Sequence, residues 1–414
     1  MKIKGFLLIV LIFFSVIETN LAQTADADTV KSISRINGEI EIDGIVDEKA
    51  WSAVRPLQLT MHWPDFQGSI TEPTEIRVAY DDEHLYVGAI CYDSDPSKIQ
   101  TPTFQRDRWG QDMDQLTILL DPYNDNENGL IFSVTASGSR IDVAIKNDAQ
   151  GNNPINISWN SYWSAQTTRD EQGWQAEVKI PFSSLRFQEK DGIVEMGFTV
   201  WRYLARKREM NIYPPIPPDW GFWSFAKASQ AQTVSFQGLQ NKRPWYTSPY
   251  ILTGMGHHHE WNENASYEKI PDRELQAGLD VQHAFSDNIN ADFTFNTDFA
   301  QVEADNQVVN LSRYSLFFPE KRKFFLERAS IFDFRTDLNN KMFYSRRIGI
   351  RDGELIPLWG GARLVGRFNA WDVGFLSMQS KQAGNFASEN FGVLRVRKNV
   401  FNQQSYLGGM MTSR

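Results

Sequence analysis

Two short polar stretches of this sequence place a tryptophan beside side chains that form hydrogen bonds. Trp109 follows Arg106 and Arg108 in a charged segment, and Trp159 directly precedes Asn160. A flat aromatic ring can pack against the C–H face of a pyranose, while guanidinium and amide groups bind its hydroxyls. These five side chains are therefore our predicted ligand-binding residues, with a saccharide as the expected ligand. The alternative is that either tryptophan is a core residue, because tryptophan is highly buried on average.

A second stretch, residues 121–129, is rich in oxygen ligands. It contains Asp121, Asn124, Asp125 and Asn126. Carboxylate and amide oxygens are the ligands that Ca²⁺ takes in proteins, so we predict these four residues as a candidate calcium site. The spacing is not that of an EF-hand loop, and Asn, Asp and Gly also favour tight turns. A turn without a metal is the open alternative.

No set of residues indicates a catalytic site. The sequence contains no HExxH, GxSxG or glycine-rich phosphate-binding motif, which are the common signatures of hydrolytic and phosphate chemistry. A glycosidase would need two carboxyl groups ~5–9.5 Å apart. With 51 acidic residues, the sequence does not indicate which two would meet. We therefore predict no catalytic residues.

Composition and the N-terminus indicate an exported, acidic protein. Residues 1–22 have the basic start, apolar stretch and small-residue end of a signal peptide. No later apolar stretch approaches the ~20 residues of a membrane helix. The formal net charge of −9 argues against a nucleic-acid partner. Cys91 is the only cysteine, so no disulfide framework is expected.

Residues 26–239 have the pattern of an antiparallel β-sandwich. Apolar and polar residues alternate through 76–80 and 85–91 around an acidic turn, which predicts a hairpin. Further strands are predicted at 116–120, 130–136, 174–180 and 194–201. Short, regularly spaced strands with polar turns are typical of a sandwich. Trp51, Trp163 and Trp174 are interpreted as core residues.

Residues 240–270 are predicted to be a linker, because the segment is polar and irregular. His257, His258 and His259 lie within it. Three adjacent histidines could bind a metal. Neighbouring side chains of an extended chain point to opposite sides, however, so a solvated loop is the favoured interpretation.

Residues 271–414 are predicted to form amphipathic antiparallel strands. Apolar and polar residues alternate through 275–285 and 289–296 around a Ser-Asp-Asn turn, a hairpin with one apolar face. That face would be the core of a soluble sandwich, or the lipid-facing side of an outer-membrane barrel. Four aromatic residues near strand ends fit an interfacial girdle. They are Phe368, Trp371, Phe401 and Tyr406.

Two resemblances bear on this choice. The segment from Asp298 to Gly349, with DFAQVEADNQVVNLSR, LFFPEKR and FYSRRIG, resembles the signature of domain of unknown function 5916. Lys323 stands where proline is expected in that signature. The stretches GEIEIDGIVDEKAW and GWQAEVKIPFSSL resemble family 9 carbohydrate-binding modules. In the first family, which consists of Gram-negative outer-membrane proteins, such a module precedes a β-barrel.

These resemblances imply an all-β protein: an N-terminal antiparallel β-sandwich of the family 9 type, followed by the first strands of an outer-membrane antiparallel β-barrel. Residues 271–414 would then be the N-terminal part of a longer barrel that is truncated here. The implied location is the cell outer membrane, with the sandwich periplasmic or surface-exposed. The implied partners are a glycan or polysaccharide and outer-membrane lipid, and family 9 modules also bind structural calcium.

The function that follows from the resemblance is glycan binding or carbohydrate catabolism by an exported module attached to a barrel. Two alternatives stay open. Modules of this kind are often attached to glycoside hydrolases, which suggests hydrolysis of O-glycosyl bonds. The second alternative is a transport or structural barrel that carries the sandwich as a periplasmic domain.

Overall fold

The computed structural model describes most of the chain. The described ranges are 30–151, 154–185, 187–239, 245–261, 267–286, 289–297, 320–326, 329–334, 341–351, 354–368, 371–400 and 405–414. The predicted signal peptide, much of the 5916 signature at 298–319, the turn at 287–288 and Phe401 lie outside them. The described chain is nearly all β-structure, as predicted.

Short strands make up the N-terminal domain. In chain order they are β1 (Lys31–Ser32), β2 (Ser34–Arg35), β3 (Thr60–Trp63), β4 (Thr74–Tyr80), β5 (His84–Tyr92), β6 (Gln115–Asp121), β7 (Gly129–Thr135), β8 (Arg140–Ile145), β9 (Ile155–Asn156), β10 (Ser164–Asp170), β11 (Gly173–Pro181), β12 (Glu189–Lys190), β13 (Ile193–Leu204), β14 (Glu209–Tyr213) and β15 (Gln232–Gln237). Helix α1 is Lys49–Ser52. Single 3₁₀ turns lie at Pro96–Lys98, Asn147–Ala149, Phe182–Ser184, Ala205–Lys207, Pro218–Trp220, Ser224–Ala226 and Ala228–Gln230.

Two sheets form the predicted sandwich. The larger runs in the order β1-β15-β13-β6-β7-β8-β9, with β12 and β14 also paired to β13, and β3 paired to β14. The smaller runs in the order β10-β11-β5-β4-β2. All pairings are antiparallel except those of β1 with β15 and β2 with β4. Side chains from both sheets fill the core, among them Ile118 and Phe132 of the larger and Val87 and Trp174 of the smaller.

The predicted elements of the sandwich are confirmed. β4 and β5 form the predicted hairpin, and the four further predicted strands correspond to β6, β7, β11 and β13. Trp51, Trp163 and Trp174 are buried, as is Cys91. The alternation of apolar residues therefore identified the inward face of each strand correctly.

One buried carboxylate holds α1 and the turn before it to the smaller sheet. Glu177 of β11 accepts hydrogen bonds from the backbone N–H groups of Asp43 at 3.2 Å and Gly44 at 3.1 Å. It also accepts the indole N–H of Trp51 at 3.1 Å. Gly44 has a φ of 90°, and a Cβ there would lie 2.9 Å from the backbone of Thr167. The glycine of this turn therefore permits the close approach of the backbone segments around Gly44 and Thr167.

This carboxylate makes the stability of the sandwich depend on pH. Burial raises the pKa of Glu177 to about 7, against hydrogen bonds from Trp51 and Gly44 that lower it. The ordinary value is 4.5, so the folded state binds the proton more tightly than the unfolded state. The stabilisation from this proton is complete below pH 4.5 and is lost as the pH rises through about 7.

We therefore expect the contribution of Glu177 to the free energy of unfolding to fall by on the order of 1–2 kcal/mol as the pH rises from 5 to 8. Urea unfolding of the wild type and of Glu177→Gln at both pH values measures this effect. The difference between the two proteins in their pH dependence isolates the contribution of Glu177. An identical pH dependence in both proteins would contradict the prediction.

The C-terminal domain is built on one antiparallel sheet of seven strands. Its elements are β16 (Trp245–Trp261), β17 (Tyr267–Ser286), β18 (Ile289–Phe295), helix α2 (Lys323–Leu326), β19 (Ile350–Arg351), β20 (Glu354–Leu355), β21 (Leu358–Phe368), β22 (Trp371–Ser380), β23 (Asn390–Asn399) and β24 (Tyr406–Ser413). The seven-stranded sheet has the order β16-β17-β18-β21-β22-β23-β24, and β19 pairs with β20 separately. Single 3₁₀ turns lie at Ala329–Phe332 and Ser345–Arg347.

The prediction of an irregular linker over residues 240–270 is wrong where the structure describes that segment. β16 occupies most of it and pairs with β17 along its whole length. Pro249 and interspersed glycines obscure the alternation in the sequence, and pairing with the amphipathic β17 overrides the weak local preference. His257 and His259 are exposed, with ring centroids 5.7 Å apart.

The seven-stranded sheet exposes apolar side chains on one face and buries charged ones on the other. The exposed face carries Trp245, Ile251, Met255, Leu275, Phe285, Phe295, Trp371, Phe375, Leu394, Leu407 and Met411. The opposite face carries the buried Asn290, Asp292, Thr294, Arg363, Asp372, Arg395 and Arg397. The same face also carries a buried apolar cluster in which Val365, Leu376, Met378 and Val393 pack with Phe324 and Phe332. The apolar face of the predicted hairpin is therefore not a core.

The aromatic girdle is only partly as expected. Trp371 lies on the exposed apolar face, opposite Lys398 of β23. Tyr406 lies on the other face, where its ring centroid is 5.0 Å from the guanidinium of Arg397. Side chains alternate between the two faces of a strand. Leu407 and Met411 of β24 point to the apolar face, so Tyr406 points to the charged face. Within the described residues, no helix has the length and apolar character needed to cross a membrane.

A buried ion network joins the sandwich to the charged face of the C-terminal sheet. Arg397 donates two hydrogen bonds to Glu127, at 2.9 and 2.5 Å, and Arg367 lies 3.7 Å from Asp125. Asp372 accepts from both arginines at 2.7 Å. Asp125 and Glu127 belong to the loop between β6 and β7, so this loop is the docking element of the sandwich.

Candidate functional site

Two cavities contain four of the five predicted ligand-binding residues. The first, which we call the aromatic cavity, lies within the sandwich and has a volume of about 830 Å³. The second, which we call the interdomain cavity, lies between the sandwich and the C-terminal sheet and has a volume of about 640 Å³. Both are in the size range of small-molecule sites. Arg108 lines the first, whereas Arg106, Trp159 and Asn160 line the second.

Two exposed aromatic rings line the aromatic cavity. Trp63, at the end of β3, is 53% exposed, and Phe222 is 74% exposed. Pairing of Trp63 with Met210 of β14 fixes the position of the first ring. Phe222 contacts the ring of Trp223 edge-on, with centroids 4.9 Å apart. Large apolar rings that stay exposed around one cavity are typical of a recognition surface.

The floor of the aromatic cavity is a neutral, hydrogen-bonded histidine. His62 lies next to Trp63 in β3, with Nδ1 2.7 Å from the carbonyl oxygen of Ile216 and Nε2 3.2 Å from Oγ of Ser224. Burial lowers the pKa of His62, although the hydrogen bond to Ile216 raises it. A neutral ring that donates from Nδ1 can accept the Ser224 hydroxyl proton at Nε2. This arrangement holds the strand end and the loop that carries Phe222 together.

Charged groups form one edge of the same cavity. Arg108 donates two hydrogen bonds to the carboxylate of Asp112, at 3.1 and 2.6 Å, and both side chains are exposed. They can therefore be shared with a ligand without desolvating a buried ion pair. Trp109 does not line the cavity. Its half-buried ring packs edge-on against Trp223 at 6.4 Å, behind the wall. Trp109 thus follows the core alternative.

The interdomain cavity contains the other three predicted residues. Arg106 donates a hydrogen bond to Asp142 at 2.7 Å and another to the side-chain oxygen of Asn160 at 3.3 Å. Trp159 is half-buried, and its ring meets Phe132 of the core edge-on at 5.9 Å. The sequence neighbours Trp159 and Asn160 therefore line one cavity together with Arg106.

A left-handed residue explains why Arg106 and Arg108 serve different cavities. Asp107, between them, has a φ of 60°. Its N–H donates to the carbonyl oxygen of Arg140 at 3.1 Å, and its Oδ1 accepts the N–H of Asp142 at 3.2 Å. The turn is anchored on β8, and it directs its two flanking arginines apart. No local pattern in the sequence indicates this reversal.

Several lining residues were not predicted from the sequence. In the interdomain cavity these are Arg140 of β8, Tyr246 of β16, Gln282 of β17 and Lys321. Arg140 lies two residues before Asp142, and side chains at i and i+2 share one face of a strand. The sequence therefore places Arg140 on the same side of β8 as Asp142, the partner of Arg106. The residues from the C-terminal domain gave no such signal, since only the contact between domains brings them to the cavity.

The predicted calcium loop is shaped by its own hydrogen bonds. Asp121 Oδ2 accepts the N–H of Asn126 at 2.7 Å, and Asp125 Oδ1 accepts the N–H groups of Glu127 at 2.9 Å and Asn128 at 2.8 Å. Burial, and repulsion from Asp125, raise the pKa of Asp121. These hydrogen bonds are the ones expected of a tight turn without a metal, the alternative to a calcium site.

The same loop also carries the docking contacts of Asp125 and Glu127 described above. Asn124 and Asn126 adopt left-handed φ values of 47° and 58°, which asparagine tolerates better than most residues. Among the described residues, no group of three or more His, Cys, Asp or Glu side chains is placed to hold a metal ion. Calcium binding at Asp121, Asn124, Asp125 and Asn126 stays a prediction.

Comparison with known families agrees with this architecture. The model described as carbohydrate family 9 binding domain-like matches residues 42–210, and the model of domain of unknown function DUF5916 matches residues 248–355. The chain carries both domains. The family 9-like match covers most of the sandwich, and the DUF5916 match begins within β16. Both resemblances predicted from the sequence are confirmed.

Solved structures match about half of this chain. A family 9 carbohydrate binding module from Caldicellulosiruptor kristjanssonii in complex with cellotriose is 17% identical, with 51% of this chain and 95% of that chain covered and a TM-score of 0.34. The same module in complex with glucose gives 18%, 51%, 98% and 0.34. A putative carbohydrate-binding protein from Bacteroides uniformis gives 10%, 50%, 99% and 0.40. No curated protein matches the chain.

Proposed function

We propose that the family 9-like domain binds a saccharide in the aromatic cavity. The observation that carries this proposal is the pair of exposed rings, Trp63 and Phe222, on the wall of one cavity. The match to the carbohydrate family 9 binding domain-like model supports the same ligand class. A pyranose has apolar C–H faces and a rim of hydroxyls, and the cavity offers groups that suit both.

The chemistry of the cavity fits a neutral sugar. The rings of Trp63 and Phe222 offer apolar area for the C–H faces. The Arg108–Asp112 pair offers donors and acceptors in the same place with a net charge of zero, and the exposed Arg208 adds a further solvated donor at the cavity. Gln111, which also lines the cavity, adds an amide with both donor and acceptor atoms. Such paired groups recognise hydroxyls, which donate and accept at the same oxygen.

Binding is a better proposal than hydrolysis for this cavity. Glycosidases act with two carboxyl groups placed on either side of the glycosidic bond. Asp112 is the single carboxylate among the described residues that line the aromatic cavity. It also engages Arg108 through both oxygens, which stabilises its ionised form and disfavours the role of a general acid. A glycan array probed with the full chain, wild type and Trp63→Ala, tests the proposal.

We further propose that the DUF5916 domain places its seven-stranded sheet in the outer membrane as part of a β-barrel, following export directed by residues 1–22. The observation that supports it is the inverted polarity of the sheet. Outer-membrane barrels point apolar residues at lipid and polar residues inward. Leu275, for example, is 79% exposed, whereas Asp292 and Arg363 form a buried pair at 2.7 Å on the opposite face.

A charged residue introduced on the apolar face tests whether that face is in contact with lipid or with water. Phe375 is in the middle of β22 and pairs with Leu394 of β23, and both are on the exposed face. We expect Phe375→Arg to lower the stability of the membrane-inserted protein by about 2–4 kcal/mol, the cost of arginine near the bilayer midplane. Urea unfolding in phospholipid vesicles, followed by tryptophan fluorescence, measures the change.

Phe375→Leu is the control, because it keeps an apolar side chain at the same position. If the face were in water, Phe375→Arg would change stability by no more than about 0.5 kcal/mol, as at ordinary surface sites. That result, or a protein that is recovered in soluble fractions without detergent, would contradict the outer-membrane proposal.

A further inference from the structure

We propose that the interdomain cavity is a second saccharide site, built by both domains, and that it takes a saccharide carrying a carboxylate, such as a uronic acid. This inference goes beyond the neutral-sugar site of the aromatic cavity and does not depend on it. The two cavities share no lining residue among those that the structure describes. Each can therefore be disabled without altering the other.

The cavity exists only because the two domains meet. The sandwich contributes Arg106, Arg140 and Trp159 to its lining, and the C-terminal domain contributes Gln282 and Lys321. A ligand in this cavity would contact the sandwich and the DUF5916 domain at the same time.

Direct contacts fix this junction around the cavity. The hydroxyl of Tyr246, in β16, donates to the carbonyl oxygen of Ser183 at 3.0 Å, and both residues line the cavity. Nearby, the side-chain amide of Asn156 donates to the carbonyl oxygen of Glu320 at 3.5 Å, next to Lys321. The buried network around Asp372 holds the same two domains together. The walls are therefore held in register before a ligand arrives, which lowers the entropic cost of binding.

The charge of the lining selects an anion. Arg106, Arg140 and Lys321 line the cavity, and no Asp or Glu is among the described lining residues. Arg106 is neutralised by Asp142 behind it. Arg140 is different. Its guanidinium donates to the carbonyl oxygen of Trp163 and lies 5.6 Å from the centroid of that ring.

Neither of those contacts compensates the positive charge of Arg140. Within the part of the chain that the structure describes, no carboxylate lies within ion-pair distance of this guanidinium. Arg140 is half-buried, and partial removal of an unpaired charge from water is unfavourable. A planar guanidinium matches a carboxylate through two parallel hydrogen bonds. A ligand carboxylate would supply the missing partner.

The remaining lining identifies the anion as part of a saccharide. Trp159 provides an apolar aromatic surface beside the charged groups, and Asn160 and Ser161 provide amide and hydroxyl hydrogen-bonding groups. Gln282 adds an amide from the opposite wall. A small inorganic anion would use the arginine alone. A volume of about 640 Å³ also accommodates a ligand well above the size of a single anion.

The test is isothermal titration of the detergent-solubilised full chain. The probes are galacturonic acid and mannuronic acid oligosaccharides, their neutral hexose counterparts, and acetate as a carboxylate without a sugar. We expect an acidic oligosaccharide to bind at least roughly tenfold more tightly than its neutral counterpart, because a hydrogen-bonded charge contributes about 1.5–3 kcal/mol. Arg140→Gln should remove this preference, and Arg140→Lys should keep part of it. Gln282→Ala should weaken binding by roughly threefold or more.

Arg55→Gln is the matched control, since it removes an exposed arginine of the sandwich that lines neither cavity and should leave acidic binding unchanged. Correct folding of Arg140→Gln is established by its retained neutral-sugar binding or, failing that, by its circular dichroism. The proposal is overturned if no uronic acid oligosaccharide binds, or if Arg140→Gln binds them as the wild type does. Equal affinity for acetate would show a simple anion site and would overturn the saccharide assignment. Unchanged binding by Gln282→Ala would overturn the claim that both domains build the site.

Discussion

Replacing Trp63 by alanine is expected to weaken saccharide binding by the family 9-like domain by roughly 30-fold or more, because a central aromatic contact is typically worth at least about 2 kcal/mol. The loss should follow from apolar contact area. Trp63 is half-exposed and does not belong to the core, so its removal leaves the sandwich folded. Titration of the full chain with the best neutral ligand from the glycan array measures the effect.

Trp220→Ala is the control for this experiment. Trp220 is 55% exposed in the same domain but does not line the aromatic cavity. Its loss should change affinity by less than about threefold, or roughly 0.6 kcal/mol. Equal losses in the two variants would show that exposed tryptophans act without regard to the cavity. Full binding by Trp63→Ala together with Phe222→Ala would refute the aromatic cavity as the site.

Asp372→Asn is expected to lower the free energy of unfolding by about 3–5 kcal/mol, the usual cost of breaking a buried ion pair. Asp372 is 1% exposed and accepts hydrogen bonds from Arg367 and Arg397. Its neutralisation would leave two buried guanidinium groups with less compensation. The same arginines bind Asp125 and Glu127, so docking of the sandwich should loosen as well. Urea unfolding in vesicles measures stability, and the rate of proteolysis measures docking.

Asp112→Asn provides the comparison for this variant. Asp112 also pairs with an arginine, but both side chains are exposed, and such pairs contribute only about 0–1 kcal/mol. The two substitutions make the same chemical change, and they differ in burial. A loss of less than about 1 kcal/mol in Asp372→Asn would mean that the network contributes no more than a surface pair. The sandwich would then be held by its other contacts.

The architecture of the sandwich could be predicted because its signals are local. Alternating apolar residues identified the hairpin of β4 and β5, and they identified the buried faces of β6, β7, β11 and β13. Trp51 and Trp174 were correctly interpreted as core residues for the same reason. Side chains of a strand point alternately to its two faces, so the pattern of one segment specifies which residues face inward.

The ligand-binding residues could be predicted only in part. Trp159 and Asn160 share a cavity with Arg106, but Trp109 packs behind a wall. Trp63, which forms the aromatic cavity, looks in the sequence like any buried tryptophan. Whether a tryptophan ring lines a cavity or belongs to the core depends on the residues that pack against it. Those residues are distant in the sequence.

The loop from Asp121 shows the same limit for charged groups. Carboxylates in a turn can hold a cation, cap their own backbone or pair with an arginine, and all three uses require the same residue types. In the structure, Asp121 caps the loop, while Asp125 and Glu127 reach Arg367 and Arg397 in another domain. Sequence spacing contains no information about those arginines.

Strand periodicity in the sandwich and the family motifs are therefore properties that the amino-acid order alone establishes for this protein. Only the tertiary structure decides the environment of each face. The alternation in β17 suits a soluble core and a lipid surface equally, and only the structure shows that Leu275 is exposed while Asp292 and Arg363 are buried behind the sheet. The interdomain cavity likewise exists only in the assembled chain. Arg140 and Gln282, from its two walls, are more than a hundred positions apart in the sequence, and non-local packing alone brings them to one cavity.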